Sequence, residues 1–590
     1  MARRGMTEMK KPKDARGTFR RLLSYIADYK QILLIAIVLS FIGNVCGLIS
    51  PSLAGKAINE AAAGVGKVNM DQVKYYAFRM LIFYLISSFT TIFISILMTI
   101  TSKNIARKMR HDVFDKMMRL PVSYFDTNAA GDIISRVSYD IDVVCTSLST
   151  DVVHIMTSTV TVIGSFVMML TISPPLALIV VLTLPFCIRF TVKMRKRTQP
   201  RYRRRSASYG ALNGFVEEML SGQKTIQAYA YGNKVCEDFD KVNTEAAEAY
   251  YAADSLGSTI GPTMTMINNL SLSLIACFGS IFYMSGIASL GQISSFVLYS
   301  RRFTGPINEI ANIINEIFSA LSAAERVFGM LDAAEEPEDD DNAVVLSNVK
   351  GNVELQNVSF GYEPGKTILH NLSLRADAGK TIAIVGPTGG GKTTIINLLM
   401  RFYDIDSGAI LVDGGDIRSY TRSSLRNAYA MVLQDTWVFN GTIFENIAYG
   451  KENATMDEVI AAAKAARIHS FIMQLPEGYQ TVISEDGGNI SKGQKQMLTI
   501  ARAMLYDSKM LILDEATSNV DTGTERQIQA AMLQLMKGKT CFVIAHRLST
   551  IRNADRILVV KNGDVIEQGN HTSLMAQKGF YHELYSAQFE

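Results

Sequence analysis

The stretch TIAIVGPTGGGKTTIINLLM, residues 381–400, decides the fold of the carboxyl-terminal part of the chain. A strand-forming run leads into a glycine-rich loop, and a helix-forming run follows the loop. Backbone N–H groups in a loop of the pattern G-x-x-x-x-G-K-T fold round phosphate oxygens, which requires glycine where a Cβ would collide. The predicted phosphate-binding residues are Gly386, Pro387, Thr388, Gly389, Gly390, Gly391, Lys392, Thr393 and Thr394.

Side chains in and beyond this loop suit nucleotide hydrolysis. Lys392 reaches the β- and γ-phosphates, and the Thr393 hydroxyl suits Mg²⁺. The run MLILDE, residues 510–515, predicts an apolar strand that ends in two acids. We predict that Asp514 holds Mg²⁺ through water and that Glu515 orients or deprotonates the attacking water. His546, at the end of TCFVIAH, is predicted to complete the site of nucleotide hydrolysis.

Apolar stretches long enough to cross a membrane fall only in the amino-terminal half of the 590-residue chain. A membrane-crossing helix needs about 20 apolar residues. Six such stretches predict an all-α transmembrane domain: residues 31–51, 79–100, 153–172, 176–194, 260–284 and 286–306.

Positive charge sets the expected orientation of these spans. Lys and Arg are dense before the first span, after the second and after the fourth, whereas the turns after the third and fifth carry no charge. The positive-inside rule then places both termini in the cytoplasm. We attribute the basic clusters to topology and to anionic lipid headgroups rather than to nucleic acid, since the net charge is only +4.

Two long helical segments separate spans two and three and spans four and five. We expect them to extend into the cytosol, turn near Thr127–Asp132 and near Ala211–Ser221, and return. The acidic run AAEEPEDDD then predicts a solvated linker. The predicted domains are an amino-terminal elbow (1–30), a transmembrane domain (31–332), the linker (333–347) and a nucleotide-binding domain (348–590).

The distribution of cysteine and histidine favours neither disulfides nor a protein-held transition metal. The six cysteines contain no C-x-x-C pair, and the seven histidines are scattered. Buried or lipid-facing thiols are therefore the expectation.

Taken in order, the motifs resemble those of type IV ATP-binding cassette exporter half-transporters, from the elbow GTFRRLLSYIADYK to the last helix. The resemblance implies a six-helix transmembrane domain of the type IV (type I exporter) fold, fused to an α/β P-loop nucleotide-binding domain. It also implies an ATPase that moves substances across the membrane by alternating access. The two cytosolic turns then correspond to coupling helices.

The resemblance assigns further site residues. Tyr362 resembles the aromatic side chain that stacks on adenine, and Gln434 resembles the glutamine that senses Mg²⁺ and the membrane domain. Glu485 lies in the stretch SEDGG, which resembles the loop that faces the partner's coupling helix, and His546 resembles the switch histidine. Ser491, Gly493 and Gln494 occupy the signature positions that contact the γ-phosphate bound by the other cassette.

The signature departs from the family pattern, because Lys492 stands where the first glycine of Leu-Ser-Gly-Gly-Gln is usual. Either the side chain points away and is tolerated, or the site built with this signature is impaired. We favour impairment, and because this chain's own phosphate loop, Glu515 and His546 look intact, the two sites of a dimer would then differ. A heterodimer with a second half-transporter is then expected rather than a homodimer.

Polar residues inside the spans are the candidates for a substrate path. A charge in the bilayer core costs at least ~2.5–3.5 kcal/mol, so Arg189, Arg301 and Arg302 are expected to face a cavity or a partner. Snorkelling also explains Arg189. Asn268 and Asn269 either line the path or bond between helices.

The expected function is ATP-driven export of a drug-like or lipid-like amphiphile across a bacterial plasma membrane. An ATP-gated channel or a lipid flippase on the same scaffold is the alternative. An importer half is disfavoured because membrane and ATPase parts are fused here, and the six predicted spans exclude a soluble cassette.

Overall fold

The chain divides into two units. The computed structural model describes residues 14–64, 66–434, 436–484, 489–514, 521–545 and 548–589. One unit comprises the chain up to Leu120 and Asn128–Ala334, and the other comprises Pro121–Thr127 and the chain from Glu335 onward. The second boundary falls within the predicted linker. No local sequence pattern indicated that Pro121–Thr127 belongs with the carboxyl-terminal unit.

The first unit consists of helices, and one short helix of this half, α4, belongs to the second unit. Two π-helical turns, Arg136–Asp140 and Ser147–Asp151, join α5 to α6 and α6 to α7. The helices are α1 Ala15–Ala27, α2 Lys30–Ala61, α3 Met70–Arg119, α4 Val122–Thr127, α5 Ala130–Ser135, α6 Ile141–Thr146, α7 Val152–Ile172, α8 Pro174–Ser221, α9 Gln223–Ala228, α10 Gly232–Gly257, α11 Ile260–Met284 and α12 Leu290–Leu331.

The predicted spans fall in α2, α3, α7, α8, α11 and α12. By length and apolar composition, four helical stretches among the described residues qualify to cross a membrane: Lys30–Ala61, Met70–Arg119, Ala130–Ile172 and Gly232–Met284. A shorter apolar helix, Pro174–Thr183, opens α8. Large apolar side chains on these helices remain exposed, among them Leu34, Phe78 and Phe89. An apolar surface of this kind suits lipid as solvent.

The two turns that were predicted between long helices differ in how well the sequence located them. The first lies where predicted, in the short helices α4 and α5. The second prediction, Ala211–Ser221, was wrong, because α8 continues to Ser221 and the turn begins at Gly222. Gly210 and Gly214 do not end this helix. Helix α8 packs along α10, and tertiary packing of this kind overrides the weak helix propensity of glycine.

A proline inside α2 explains the position of one intramembrane arginine. Pro51 has no N–H, so the helix cannot complete the bond to the carbonyl of Gly47. Arg302 Nη1 of α12 donates to that carbonyl oxygen over 2.7 Å. One helical position further, the Tyr299 hydroxyl donates to the carbonyl of Leu48 over 2.5 Å. Side chains of α12 therefore satisfy backbone groups of α2 that lipid could not.

The second unit is an α/β cassette. Its strands are β1 Val353–Phe360, β2 Leu369–Ala376, β3 Thr381–Val385, β4 Ser407–Val412, β5 Gly415–Asp416, β6 Tyr429–Val432, β7 Gly441–Thr442, β8 Val482–Ile483, β9 Met510–Asp514, β10 Thr540–Ile544, β11 Arg556–Lys561 and β12 Asp564–Gly569. Its helices after α12 are α13 Lys392–Leu399, α14 Arg422–Asn427, α15 Ile443–Ala448, α16 Met456–Ala465, α17 His469–Ile472, α18 Lys492–Tyr506, α19 Thr522–Met536, α20 Leu548–Arg552, α21 His571–Gln577 and α22 Phe580–Phe589.

A six-stranded sheet in the order β12-β11-β3-β10-β9-β6 forms the centre of this unit. The pairs from β11 to β6 are parallel, and β12 is antiparallel at one edge. Both faces are covered. Cys541 and Val543 of β10 join one apolar cluster, while Phe542 and Ile544 join the other. This two-sided burial explains why β10 and β9 are continuously apolar in sequence.

The linker is anchored rather than fully solvated, which corrects the sequence-based expectation. Arg422, only 6% exposed, donates through Nη1 to the Pro337 carbonyl and to the Asp339 carboxylate. Arg426 forms a two-pronged pair with the Glu336 carboxylate. The acidic run therefore supplies the carboxylates that neutralise two arginines of α14.

Replacing Arg422 by Ala should destabilise the cassette, because it leaves acids that lose their counter-charge. Breaking a buried pair costs about 3–5 kcal/mol, and the partial exposure of the acids lowers our expectation to about 2–3 kcal/mol. Arg418 is the matched control, since its ion pair with Asp416 is local and its side chain is 49% exposed. Replacing Arg418 by Ala should cost less than about 1 kcal/mol. Thermal unfolding of the full chain measures both, and equal shifts would contradict the anchor.

Candidate functional site

The glycine-rich loop joins β3 to α13, as predicted. Gly386, Gly389 and Gly391 all have positive φ, of 149°, 80° and 101°. A Cβ on Gly386 would lie 2.0 Å from the carbonyl oxygen of Val560 on β11, so only glycine fits there. The loop is therefore pressed against the sheet on one side. The loop leads directly into the amino-terminal end of α13, and its Gly390 N–H donates to the Pro387 carbonyl over 3.1 Å.

Lys392, the first residue of α13, is 9% exposed. Its Nζ donates to the carbonyl oxygens of Gly386 and Pro387 over 2.8 and 2.9 Å. Burial lowers the pKa of this ammonium, and the charge of Asp514 partly opposes that effect. The ammonium thus lies against the loop, within reach of any phosphate that the loop holds.

The carboxyl ends of four parallel strands meet at the edge of the sheet where this loop begins. Ile384 of β3 pairs with Ile544 of β10, which pairs in turn with Asp514 of β9. Strand β6 lies beside β9, so Gln434 follows β6 at the same edge. Glu515 comes directly after β9, and His546 comes shortly after β10. Both lie outside the described residues, as does Glu485.

Side chains of α13 divide between this edge and the cassette interior. Thr393 is exposed, whereas Thr394 is buried. The Tyr362 hydroxyl lies 3.3 Å from Thr394 Oγ1 and accepts a 3.2 Å hydrogen bond from Asn397 Nδ2. Tyr362 is itself 42% exposed. The structure therefore brings the predicted adenine-stacking ring to the first turns of α13.

Sequence analysis missed two side chains beside Tyr362. Asn397 bonds its hydroxyl, and the Tyr403 ring packs against the Tyr362 ring with 4.9 Å between centroids and an interplanar angle of 84°. Such edge-to-face pairs contribute about 0.5–1.5 kcal/mol beyond area burial. The aromatic pair in RFYD, directly after α13, was the available signal.

The signature residues form the amino-terminal end of α18. Ser491 Oγ accepts from the Gln494 backbone N–H over 3.2 Å, and Gln494 Oε1 accepts from the Ser491 N–H over 2.8 Å. This reciprocal capping box fixes the start of the helix. Gly493 is buried, while the Lys492 side chain is exposed. Lys492 is therefore compatible with the folding of α18. The effect of its side chain is on the binding of a ligand that approaches the amino-terminal end of this helix.

The intramembrane polar residues have unequal surroundings. Arg302 is half-buried at the Gly47 carbonyl, whereas Arg301 and Arg189 are exposed. Asn268 is half-buried and Asn269 is exposed. One open groove follows a single stripe of α11: Pro262, Thr265, Met266, Asn269, Leu270 and Ser273. The groove combines three polar side chains with an apolar floor.

Comparisons with known proteins agree with this architecture. The model of the ABC transporter transmembrane region matches residues 33–307, and the ABC transporter model matches residues 369–518. The chain is 43% identical over 586 residues to the uncharacterized ABC transporter ATP-binding protein YfiC of Bacillus subtilis (strain 168), covering 99% of this chain and 96% of that protein.

Two further similarities extend the comparison. The chain is 46% identical over 489 residues to the fatty acid ABC transporter ATP-binding/permease protein of Mycobacterium tuberculosis (strain CDC 1551 / Oshkosh), covering 83% of this chain and 77% of that protein. A bacterial Atm1-family ABC exporter with ATP bound has a similar structure, with a TM-score of 0.74 and 28% identity, covering 96% of this chain and 99% of that one.

Membrane helices and an ATP-binding cassette on one chain define a half-transporter of the exporter class. The chain belongs to the ABC transporter family, as its similarity to full-length relatives shows. It is an ATPase whose hydrolysis is coupled to transport, with a membrane domain of several spans.

Replacing Lys392 by Ala should weaken ATP binding by at least about tenfold, because the ammonium is the only side-chain cation that this loop itself supplies. Replacing Lys366 by Ala is the matched control, since Lys366 lies on the turn between β1 and β2 and is exposed. Equilibrium titration of the full chain with a fluorescent ATP analogue measures both. Equal affinities for the two variants would remove Lys392 from the site.

Proposed function

We propose that the chain is one half of a dimeric exporter that moves a hydrophobic or amphiphilic substrate, lipid-like or drug-like, by alternating access. ATP held between two cassettes closes them, and hydrolysis resets them. The observation that carries the proposal is the phosphate loop on the same chain as long apolar helices whose large side chains remain exposed. The short helix α4, which groups with the cassette, supports its role as a coupling helix.

The proposed ATP site uses the carboxyl edge of the central sheet. The N–H groups of Gly386–Gly391 and the Lys392 ammonium bind phosphates, and Tyr362 stacks on adenine. The Thr393 hydroxyl, the Gln434 amide oxygen and the Asp514 carboxylate are hard oxygen donors at one edge, which fits Mg²⁺. When bound, Mg²⁺ neutralises charge on the β- and γ-phosphates.

Two residues are proposed to act on water and on the γ-phosphate. Glu515 follows Asp514 directly, so it is the proposed group that orients or deprotonates the attacking water. His546, two residues after the end of β10, is the proposed switch at the γ-phosphate. Pro387, Thr388 and Thr394 complete the loop that surrounds the phosphates.

We propose that the second cassette of the dimer completes each site with its own signature. Ser491, Gly493 and Gln494 of this chain would face ATP bound by the partner, where a helix amino-terminus favours an anion. The exposed Lys492 side chain lies in that path. A heterodimer, in which the partner's signature is ordinary and serves Glu515, therefore agrees best with the sequence.

The substrate class is proposed from the groove on α11. Asn269 is polar and exposed in an apolar helix, so contact of its amide with lipid alone would cost free energy, whereas the Thr265 and Ser273 hydroxyls donate to carbonyls of their own helix. Met266 and Leu270 supply adaptable apolar contacts. A molecule with a polar head and an acyl or aromatic body matches this pattern, and the name of the mycobacterial relative points to fatty acids. A flippase acting on such lipids is the close variant.

The proposed location is a bacterial plasma membrane with both termini in the cytoplasm. Basic residues that flank the apolar stretches support this orientation through the positive-inside rule. Membrane lipid and a small amphiphile are then the partners besides the second half-transporter, and no nucleic acid is involved.

Vesicles that contain this chain with its partner half-transporter should accumulate a fluorescent long-chain fatty acid when ATP is added on the cassette side. Replacing Asn269 by Leu should reduce the substrate stimulation of ATP hydrolysis by about threefold or more, because a polar partner of the proposed head group is lost from the groove. Replacing Asn268 by Leu on the same turn is the matched control, since Asn268 lies off the groove.

Replacing Glu515 by Gln provides the turnover control for this assay. Loss of a general base typically costs 10²–10⁴-fold, so uptake should cease while ATP still binds. ATP-dependent ion conductance without substrate-stimulated hydrolysis would favour the channel instead. Full uptake by the Glu515→Gln variant would show that hydrolysis does not drive transport.

Asymmetry is tested on the isolated chain. Alone, it should hydrolyse ATP slowly, because a homodimer places Lys492 at both sites. Replacing Lys492 by Gly should raise this activity by roughly tenfold, since close backbone approach to a phosphate becomes possible. Replacing Lys492 by Gln keeps a long side chain without charge and separates the two causes. An isolated chain that matches the co-expressed pair would overturn the heterodimer.

A further inference from the structure

The segment Arg401–Asp404, directly after α13, contacts the linker and the coupling helix α4 within the second unit. The Tyr403 hydroxyl donates to Asp126 Oδ2 of α4 over 2.5 Å. The next residue, Asp404, accepts from Arg422 Nη2 over 3.1 Å. Arg422 in turn binds Asp339 of the linker. Neighbouring side chains of this segment thus bind α4 directly and the linker through Arg422.

The same segment borders the proposed adenine contact. The Tyr403 ring lies edge-on to Tyr362, and Phe360 packs against both rings, with centroid distances of 5.6 Å to Tyr403 and 5.0 Å to Tyr362. On its far side, Tyr362 bonds Asn397 of α13. A continuous path of contacts therefore runs from the helix that follows the phosphate loop to Asp126.

The electrostatics of Tyr403 support a persistent bond. Burial raises the pKa of the Tyr403 hydroxyl, and the Asp126 carboxylate raises it further, so the hydroxyl stays a donor at neutral pH. A hydrogen bond to a carboxylate is stronger than one between neutral groups. Arg401, 8% exposed, binds Asp404 Oδ1 over 2.9 Å and fixes the backbone beside Tyr403.

We propose that Tyr403 is a positioning residue that couples adenine contact at Tyr362 to the docking of α4 through Asp126. A shift of the Tyr362 ring onto a base displaces the Tyr403 ring, whose hydroxyl holds the coupling helix. Gln434 follows a different strand, so this route is separate from the one at the sheet edge. The proposal rests on the proposed adenine role of Tyr362.

Because the two binding equilibria are linked, the proposed coupling can be measured as a change in ATP affinity. If ATP alters the docking of α4, then the docking of α4 alters ATP affinity by the same factor. Asp126 lies on α4 and accepts from the Tyr403 hydroxyl, so its replacement tests whether the docking of α4 affects ATP affinity through Tyr403. A typical coupling factor is about fivefold or more.

The test is a double-mutant cycle on the full chain, titrated with a ribose-labelled, non-hydrolysable ATP analogue that leaves adenine intact. Asp126→Ala and Tyr403→Phe should each raise the Kd about fivefold, and the double variant should raise it no further. Tyr403→Phe keeps both ring contacts and removes only the hydroxyl, so folding is retained. Asp132→Ala, an exposed acid on α5, is the matched control and should leave the Kd unchanged.

The outcomes separate the relay from the site on which it rests. Tyr362→Ala should weaken binding of the analogue by at least about tenfold, and an unchanged Kd would overturn the adenine role itself. If Tyr362→Ala weakens binding while Asp126→Ala and Tyr403→Phe do not, the relay alone is overturned. Additive effects of Asp126→Ala and Tyr403→Phe would also overturn it, because independent sites add.

Discussion

The parallel register of β3, β10, β9 and β6 is the constraint on which the functional part of this protein depends. Parallel strands present their carboxyl ends at one edge, so loops far apart in sequence converge there. The register sets Ile384 beside Ile544 and Ile544 beside Asp514. This register brings the phosphate loop and Asp514, the last residue of β9, to one edge. Burial of both sheet faces makes a slip costly, since every side chain would change face.

Close packing gives the loop its shape. Gly386 lies against the carbonyl of Val560, and the loop turns through left-handed glycines before α13 begins. Lys392 is buried against the carbonyls of the loop, and this burial lowers the pKa of its ammonium. A folded loop of this kind is preorganised, so little rearrangement is needed when a phosphate binds.

The membrane helices meet a different constraint, because lipid offers no hydrogen bonds. Pro51 interrupts the backbone hydrogen bonds of α2, and Arg302 of α12 donates to the Gly47 carbonyl instead. The same arginine looked like a cavity residue in sequence, since an intramembrane charge is expensive. Its cost is instead offset by a backbone acceptor that a proline had freed. Charge placement alone could not distinguish these cases, because the acceptor lies 255 positions away in the chain.

The sequence by itself determined the class of fold, the phosphate loop, the apolar spans and the first turn between long helices, because periodicity, glycine placement and strand-terminal acids are local properties. Tertiary structure decided the rest. Helix α8 passes Gly210 and Gly214 because α10 packs beside it, and the acidic linker is bound because α14 presents Arg422 and Arg426. Tyr403 became visible only when folding set it between Tyr362 and Asp126, a juxtaposition of distant residues that no local pattern encodes.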